Sequence, residues 1–382
     1  VAFPVSSADA LIRAALRGDA PPWPDATLGD DAIAVVLQRT DFHGVAPLLH
    51  RVAPPCWPAA VAQGLRRDAV AQTLWELQHQ PLLEAVLSAL STAGAQPVLL
   101  KGTALSAWLY ESGTRTRADT DLLVAPAAKD AAHTALLALG WRPGTCVSGE
   151  FVSYQASYTR RAPDGSLHAL DLHWRLSNAE LLSHVFTHAE LHAQARDLPA
   201  LGTAAMGTSA VHSLLFACLH RAVHRTAPYH VHGTVHREPD RLIWLMDIHR
   251  LANVLAPGEW KHLLSLARTK GLVAVTREAL AAAHAQLGTR IPDAVRAVLD
   301  EHQSLEPVHG YLQAGAWKQQ WMDLAALPGW RARARLVGEL LFPPPAYMRS
   351  KFEGSQCPLA WLYLRRAAAG AFKRLRTKAA HP

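Results

Sequence analysis

The sequence predicts an α+β fold: a small mixed sheet with its own helices in the middle of the chain, flanked by helical segments on both sides. Three observations predict it. The chain is half hydrophobic, only 18% charged and dominated by Ala and Leu, which marks a globular, helix-rich body. Short apolar or alternating runs bounded by turn residues, the mark of strands, gather in the middle. On either side of them apolar residues recur at helical spacing between prolines. The 382 residues suffice for two or three domains. The breaks in pattern divide them into an N-terminal helical segment (1–93), a central domain (94–208) and a C-terminal helical domain (209–382).

Helices are expected at Ala8 to Leu16, Asp31 to Arg39 and Pro47 to Val52, separated by Pro21-Pro22-Trp23-Pro24 and Pro54-Pro55-Cys56-Trp57-Pro58. A long one runs from Ala59 to Ala93, with Leu74, Leu77, Leu82, Val86 and Leu90 as its apolar stripe, a kink at Pro81 and a stop at Gly94. Strands are expected at Val98 to Leu100, Thr120 to Val124, Phe151 to Arg160 and Leu167 to Leu176, the last two a hairpin around Pro163-Asp164-Gly165. A short strand is expected near Gly202 to Met206. Helices fill the gaps at Ala104 to Tyr110 and Ala127 to Leu139. Beyond Ser209 the clearer helices are Val211 to Val223, Leu242 to Leu255, Lys261 to Leu272 and Val275 to Leu287. Leu336 to Phe342 leads into Pro343-Pro344-Pro345, and the Pro358 to Lys378 stretch starts apolar and finishes basic. Pro228 to Pro239 reads as a loop.

Composition excludes several classes. The net charge of +7 and pI near 9.4 suit an anionic partner such as a nucleotide. Cys56, Cys146, Cys218 and Cys357 have no zinc or redox spacing, so a reduced, cytoplasmic protein is expected. No apolar run approaches the ~18 residues of a membrane span, so no membrane partner is expected. VAFPVSSADA lacks the basic start and apolar core of a signal peptide. Helix-turn-helix, zinc-finger, dinucleotide and Walker patterns are all missing, and nucleic acid is not the expected partner.

The stretch from Val98 to Val124, VLLKGTALSAWLYESGTRTRADTDLLV, organises the rest. Gly102 at a strand-to-helix turn lets backbone N–H groups approach an anion, and the helix start adds partial positive charge. Asp119 and Asp121 alternate onto one strand face, where their mutual repulsion invites a divalent cation with oxygen ligands. Asp171, alone among apolar neighbours on its strand, needs a partner of its own. Turn and capping roles for Asp119 and Asp121, with Asp171 facing solvent, are the ordinary alternative.

Gly102-Thr103, Asp119-x-Asp121 and a later acidic strand resemble the nucleotidyltransferase superfamily that includes DNA polymerase β and the aminoglycoside nucleotidyltransferases. LLKGTAL, DTDLLV and LDLHWRL are most similar to a bacterial family of uncharacterised nucleotidyltransferases. Some of its members sit beside peptide-modifying pathways such as lasso peptide clusters. The superfamily's usual Gly-Ser or Gly-Gly is Gly102-Thr103 here, which keeps a hydroxyl. The resemblance implies that Asp119, Asp121 and Asp171 are the catalytic residues and hold two Mg²⁺ or Mn²⁺ ions, the arrangement used for in-line phosphoryl displacement. It implies an NTP, with ATP expected, whose β- and γ-phosphates lie on Gly102 and Thr103, and transfer of a nucleoside monophosphate to an acceptor hydroxyl or phosphate. The acceptor it suggests is a peptide or small metabolite.

Lys101, Arg115 and Arg117 are candidate phosphate ligands, Arg being the better bidentate partner, against the reading as plain solvated charges. His173 shares a face with Asp171 and is a candidate for orienting it or touching acceptor. His220 and His224, at i and i+4, have a spacing that binds zinc but lack the Glu of a His-Glu-x-x-His motif. With Arg241 and Asp247 they are candidate substrate residues, because the resemblance places their helices along the cleft; interhelical hydrogen bonds and ion pairs are the alternative. His212, His230, His232 and His236 complete a histidine-rich stretch. Two other functions compete: a non-catalytic binding protein that keeps the fold, and a nucleic-acid-binding protein using the basic tail of Arg365, Arg366, Lys373, Arg374, Arg376 and Lys378.

Overall fold

The computed structural model describes residues 3–24, 29–145, 147–231, 233–238, 240–301 and 305–379. Cys146, His232 and Pro239 lie outside them. The chain starts with helices α1 (Val5–Arg17), α2 (Asp30–His43), α3 (Ala46–Val52) and the long α4 (Ala59–Thr92). The middle follows as β1 (Val98–Leu100), α5 (Lys101–Trp108), β2 (Asp119–Leu123), α6 (Lys129–Ala138), β3 (Arg142–Pro143), β4 (Gln155–Arg161) and β5 (Leu167–His173). Short helices α7 (Glu180–Ser183) and α8 (His188–Ala193) precede β6 (Arg196–Asp197) and β7 (Met206–Gly207). Next come α9 (Ala210–Thr226), β8 (Tyr229–Val231), β9 (Thr234–His236), α10 (Leu242–Val254), α11 (Pro257–Lys270) and α12 (Val273–Leu287). The chain closes with α13 (Asp293–Asp300), α14 (Pro307–Leu312), α15 (Ala316–Ala326), α16 (Gly329–Leu341), α17 (Pro345–Lys351) and α18 (Leu359–Ala379).

Seven strands form one mixed sheet in the order β3-β4-β5-β2-β1-β7-β6. The β2–β5 and β1–β7 pairs are parallel, and the others antiparallel. The α+β architecture with helical flanks is thus as the sequence predicts. Alternation along the strands sorts the side chains between two cores. Leu99, Leu122, Leu170 and Leu172 pack with Leu83, Val86, Leu87 and Leu90 of α4 and Leu136 of α6. Val98, Leu100 and Leu123 point the other way, into a core shared with α1–α3 and α9–α12. Asp121 has the same parity as Leu123, so the acids lie on the face turned toward α9 and α10.

Several elements depart from expectation. Leu74 and Leu77 are exposed; the buried face of α4 runs from Val61, Gly64 and Leu65 through Gln72 and His79 to Leu83, Val86, Leu87 and Leu90. The inward polar positions are Gln72, which donates to Glu76 and accepts from the Arg117 backbone N–H, and His79, which meets Thr120 of the sheet. Helix α5 starts at Lys101, directly after the strand, with Lys101 in a left-handed conformation at φ 48°. Strand β4 begins at Gln155 and β5 ends at His173, so the paired hairpin is shorter than its apolar pattern. The stretch read as a loop between Pro228 and Pro239 contains the antiparallel pair β8–β9, with Gly233 at φ 76° in its turn. Tyr229 and Val231 are buried and anchor the pair, which a proline- and histidine-rich composition concealed.

Candidate active site

The sheet register builds the centre. In the parallel β2–β5 pair Asp121 stands opposite Asp171, Asp119 opposite Ala169 and Leu123 opposite His173. The antiparallel partner of Asp121 is Leu100, so the chain leaves β1 and enters α5 beside the acids. Lys101 Nζ therefore reaches Asp121 Oδ1 at 2.7 Å. His173 Nε2 lies 2.9 Å from the same oxygen. Asp121, Asp171 and His173 present ligand atoms all within 4.8 Å of one another, the one such group among the described residues. Carboxylate oxygens suit Mg²⁺ or Mn²⁺, and the imidazole adds a donor that suits Mn²⁺ or Zn²⁺ better than Mg²⁺. His173 Nδ1 is buried without a hydrogen-bond partner. The donor chemistry fits a divalent cation.

Electrostatics point the same way. Burial alone would raise the Asp121 carboxyl, but Lys101 and His173 outweigh it and hold it well below the usual range. Asp119 is pushed up to about 6 by desolvation and by the Asp121 charge. It stays exposed at the cleft wall, so solvent tempers that shift. One carboxylate is satisfied by an internal ammonium and the other is left crowded, an imbalance that a bound cation relieves.

Gly102 is open for a reason of contact. A Cβ there would lie 2.6 Å from a terminal nitrogen of Arg115. The guanidinium rests on the glycine while Nε and the other terminal nitrogen donate to the two Asp247 oxygens at 2.9 and 2.6 Å. Tyr110 donates its hydroxyl to Asp247 Oδ1 at 2.6 Å. Burial lowers the Arg115 pKa, but Asp247 outweighs it and the net shift is upward. Asp247 thus faces Arg115 as its buried counter-ion.

Thr103 is buried; its hydroxyl donates to the Asp119 carbonyl at 3.2 Å and lies 3.0 Å from Thr120 Oγ1. Thr120 in turn meets His79 Nε2 at 2.7 Å, and His79 Nδ1 lies 3.2 Å from His168 Nδ1. This polar column ties α4, β2 and β5 under the turn. Arg117 sits over the Trp75 ring at 5.0 Å and within 3.5 Å of Glu76, both on α4. Its pKa falls to about 10 because burial exceeds the pull of Glu76.

A cleft of about 610 Å³ joins these parts to the C-terminal helices. Lys101, Gly102, Arg115, Arg117, Asp119, Asp121 and Asp171 line one side, and His220, His224, Arg241 and Asp247 the other. Thr103 and His173 lie behind the wall, held by the bonds above. The ring of His224 stacks on Trp244 at 5.2 Å, and Tyr229 of β8 meets Trp244 edge-on at 4.9 Å. Burial and nearby Lys101 and Arg241 push His224 down to about 4, and burial with His224 pushes His220 lower than its ordinary value. Both imidazoles are neutral at pH 7. Arg241 donates Nε to the Phe42 carbonyl at 2.6 Å, and burial lowers its pKa to about 10. Tyr229, Trp75, Glu76, His79 and Tyr110 escaped sequence reasoning as site residues. Only tertiary contact brings them in, and no local pattern announces them.

Residues 31–288 match the model of a family described as uncharacterised nucleotidyltransferase. No curated protein matches the chain.

Proposed function

From the chain's membership of the uncharacterised nucleotidyltransferase family, we propose that it transfers a nucleoside monophosphate from an NTP, ATP being the expected one, to an acceptor hydroxyl or phosphate. The observation that carries this reading is the parallel register of Asp121 with Asp171, next to the Lys101-Gly102 turn. Residues 94–208 are the catalytic unit under this reading, and 1–93 and 209–382 its helical flanks.

The acceptor oxygen attacks the α-phosphorus, the bond to the bridging oxygen breaks, and pyrophosphate leaves. Mg²⁺ or Mn²⁺ bound by Asp119, Asp121 and Asp171 would neutralise phosphate charge and lower the acceptor pKa. The chain's own residues position and balance charge. Lys101 neutralises Asp121 until the nucleotide arrives, then stands at the cleft wall as a phosphate partner. Gly102 keeps the backbone low enough for phosphate oxygens, and Arg115 and Arg117 supply fixed positive charge beside it. Asp171, half-buried and free of the Lys101 ammonium, takes the acceptor proton. His173 holds Asp121 in place. His220, His224, Arg241 and Trp244 shape the acceptor side. Their polar and aromatic mix fits a peptide or small hydroxylated metabolite better than a duplex, which would need a continuous basic stripe.

The test incubates the protein with each α-labelled NTP, Mg²⁺ or Mn²⁺ and pools of hydroxylated metabolites and peptides. Label should pass to an acceptor with stoichiometric pyrophosphate release, and Asp171→Asn should abolish both. A second reading, a nucleotide-binding protein without catalysis, is favoured by one observation: the Lys101 ammonium already occupies an Asp121 oxygen. NTP binding without transfer in any pool, unchanged by Lys101→Met, would favour it.

A further inference from the structure

The C-terminal helices beyond the family-matched residues carry a surface that the catalytic cleft does not use. Helix α15 has no buried residue, and α16 buries only Leu336. Several of their large apolar side chains are largely exposed. Trp317 and Trp321, one turn apart on α15, are 63% and 69% exposed, and Trp330 and Phe342 on and after α16 are 73% and 67% exposed. Val337 and Leu341 lie seven and eleven residues after Trp330, on the same helical face, and both are exposed. Trp361 and Leu364 add a further exposed pair on α18. The end of α16 touches α18: Phe342 packs edge-on against Tyr363 at 5.7 Å, and Arg366 donates to the Leu340 carbonyl at 2.7 Å. The apolar groups of these two helices therefore adjoin.

Charge accompanies them. Residues 313–382 hold twelve Lys and Arg against three Asp and Glu, while the remaining chain holds 26 against 28. All of the protein's net positive charge is concentrated in this segment. Lys318, Arg331, Arg333, Arg349, Lys351 and Arg365 are exposed, and Arg335 pairs with Glu150 and Glu339. No helix among the described residues is long and apolar enough to cross a membrane.

We propose that α15–α18 dock the protein on an anionic lipid bilayer surface, with the tryptophans and Phe342 inserted at the headgroup level and the basic side chains on lipid phosphates. A second copy of the chain is disfavoured because it would bring like charge against like. Single-stranded nucleic acid would use the aromatic rings but would have no use for exposed Val337, Leu340, Leu341 and Leu364, which a bilayer interface accommodates. Interfacial helices leave no long apolar run, so the lack of a spanning segment in the sequence does not bear on binding at a bilayer surface.

The experiment is co-sedimentation of the full chain with phosphatidylcholine vesicles, with and without roughly 30% phosphatidylglycerol, over a salt series, beside the variant Trp317→Ser/Trp321→Ser/Trp330→Ser/Phe342→Ser. Its sites are exposed, and circular dichroism checks the fold. Binding should appear only with the anionic lipid and weaken with salt, and the variant should lose about tenfold or more in partitioning. Tryptophan emission should shift to the blue on binding. Absence of binding to anionic vesicles, or binding that the variant leaves unchanged, overturns the proposal. So does tight single-stranded RNA or DNA binding in place of lipid, or dimerisation that buries the tryptophans.

Discussion

Lys101 Nζ lies 2.7 Å from Asp121 Oδ1, so the protein carries its own cation within the carboxylate cluster. The left-handed backbone at Lys101, just after β1, puts the ammonium there. Asp121 is buried, and Lys101 is only partly exposed. Removing the ammonium strands a buried charge.

Lys101→Met should therefore cost about 2 kcal/mol of stability in metal-free protein, less than a fully buried pair because the lysine keeps some solvent. Mn²⁺ should restore much of the loss by replacing the missing charge. Thermal unfolding with and without Mn²⁺ measures both effects.

Asp119 and Asp121 should respond to pH in opposite senses. The folded pKa of Asp119 is raised to about 6 from its ordinary 3.8. Its contribution to stability is complete below about 4 and is lost as pH rises through about 6. Asp119→Asn should flatten that part of the metal-free stability profile, by less than ~1 kcal/mol given its exposure. The folded pKa of Asp121 is depressed, so its contribution is present above the ordinary carboxylate range and is lost on acidification. Asp121→Asn should destabilise the metal-free protein at neutral pH. Denaturant titrations between pH 4 and 8 separate the two.

Asp247→Asn should destabilise the fold by about 3 kcal/mol, because it leaves the buried Arg115 without its bidentate partner. Urea unfolding measures the loss. A change confined to substrate KM, with stability intact, would instead make Asp247 a substrate residue.

Gly102→Ala should weaken nucleotide binding by about tenfold and also lower the melting temperature, because Arg115 is held by Asp247 and cannot yield freely. The new methyl would displace the Arg115 guanidinium, which a Cβ would approach to 2.6 Å. Calorimetry on the variant checks it.

The three acids were legible because alternation along a strand is strict: Asp119-x-Asp121 could only share a face, and a lone Asp171 among leucines demanded company. Their register was not legible, since nothing local says that β5 runs parallel to β2 with Asp171 level with Asp121. Arg115 was visible as a cation beside the turn, but its partner Asp247 lies 132 residues away, and only packing of α10 against the loop after α5 pairs them. The stripe on α4 was misread at Leu74 and Leu77 because the inward positions midway along the helix are the polar Gln72 and His79, which carry no apolar signal. There His79 meets Thr120, while Leu83, Val86, Leu87 and Leu90 further along pack on the sheet's apolar face. The β8–β9 pair hid in a composition of prolines and histidines that reads as loop until Tyr229 is seen against Trp244.

Metal-dependent nucleotide binding at the Asp121–Asp171 pair is tested by calorimetric titration of each of the four NTPs into the protein with and without Mg²⁺ or Mn²⁺, repeated on Asp121→Asn/Asp171→Asn. At least one NTP should bind, the binding should require the divalent cation, and it should disappear in the double variant while circular dichroism stays unchanged. Metal-independent binding, binding that survives the double substitution, or no binding of any NTP would contradict it.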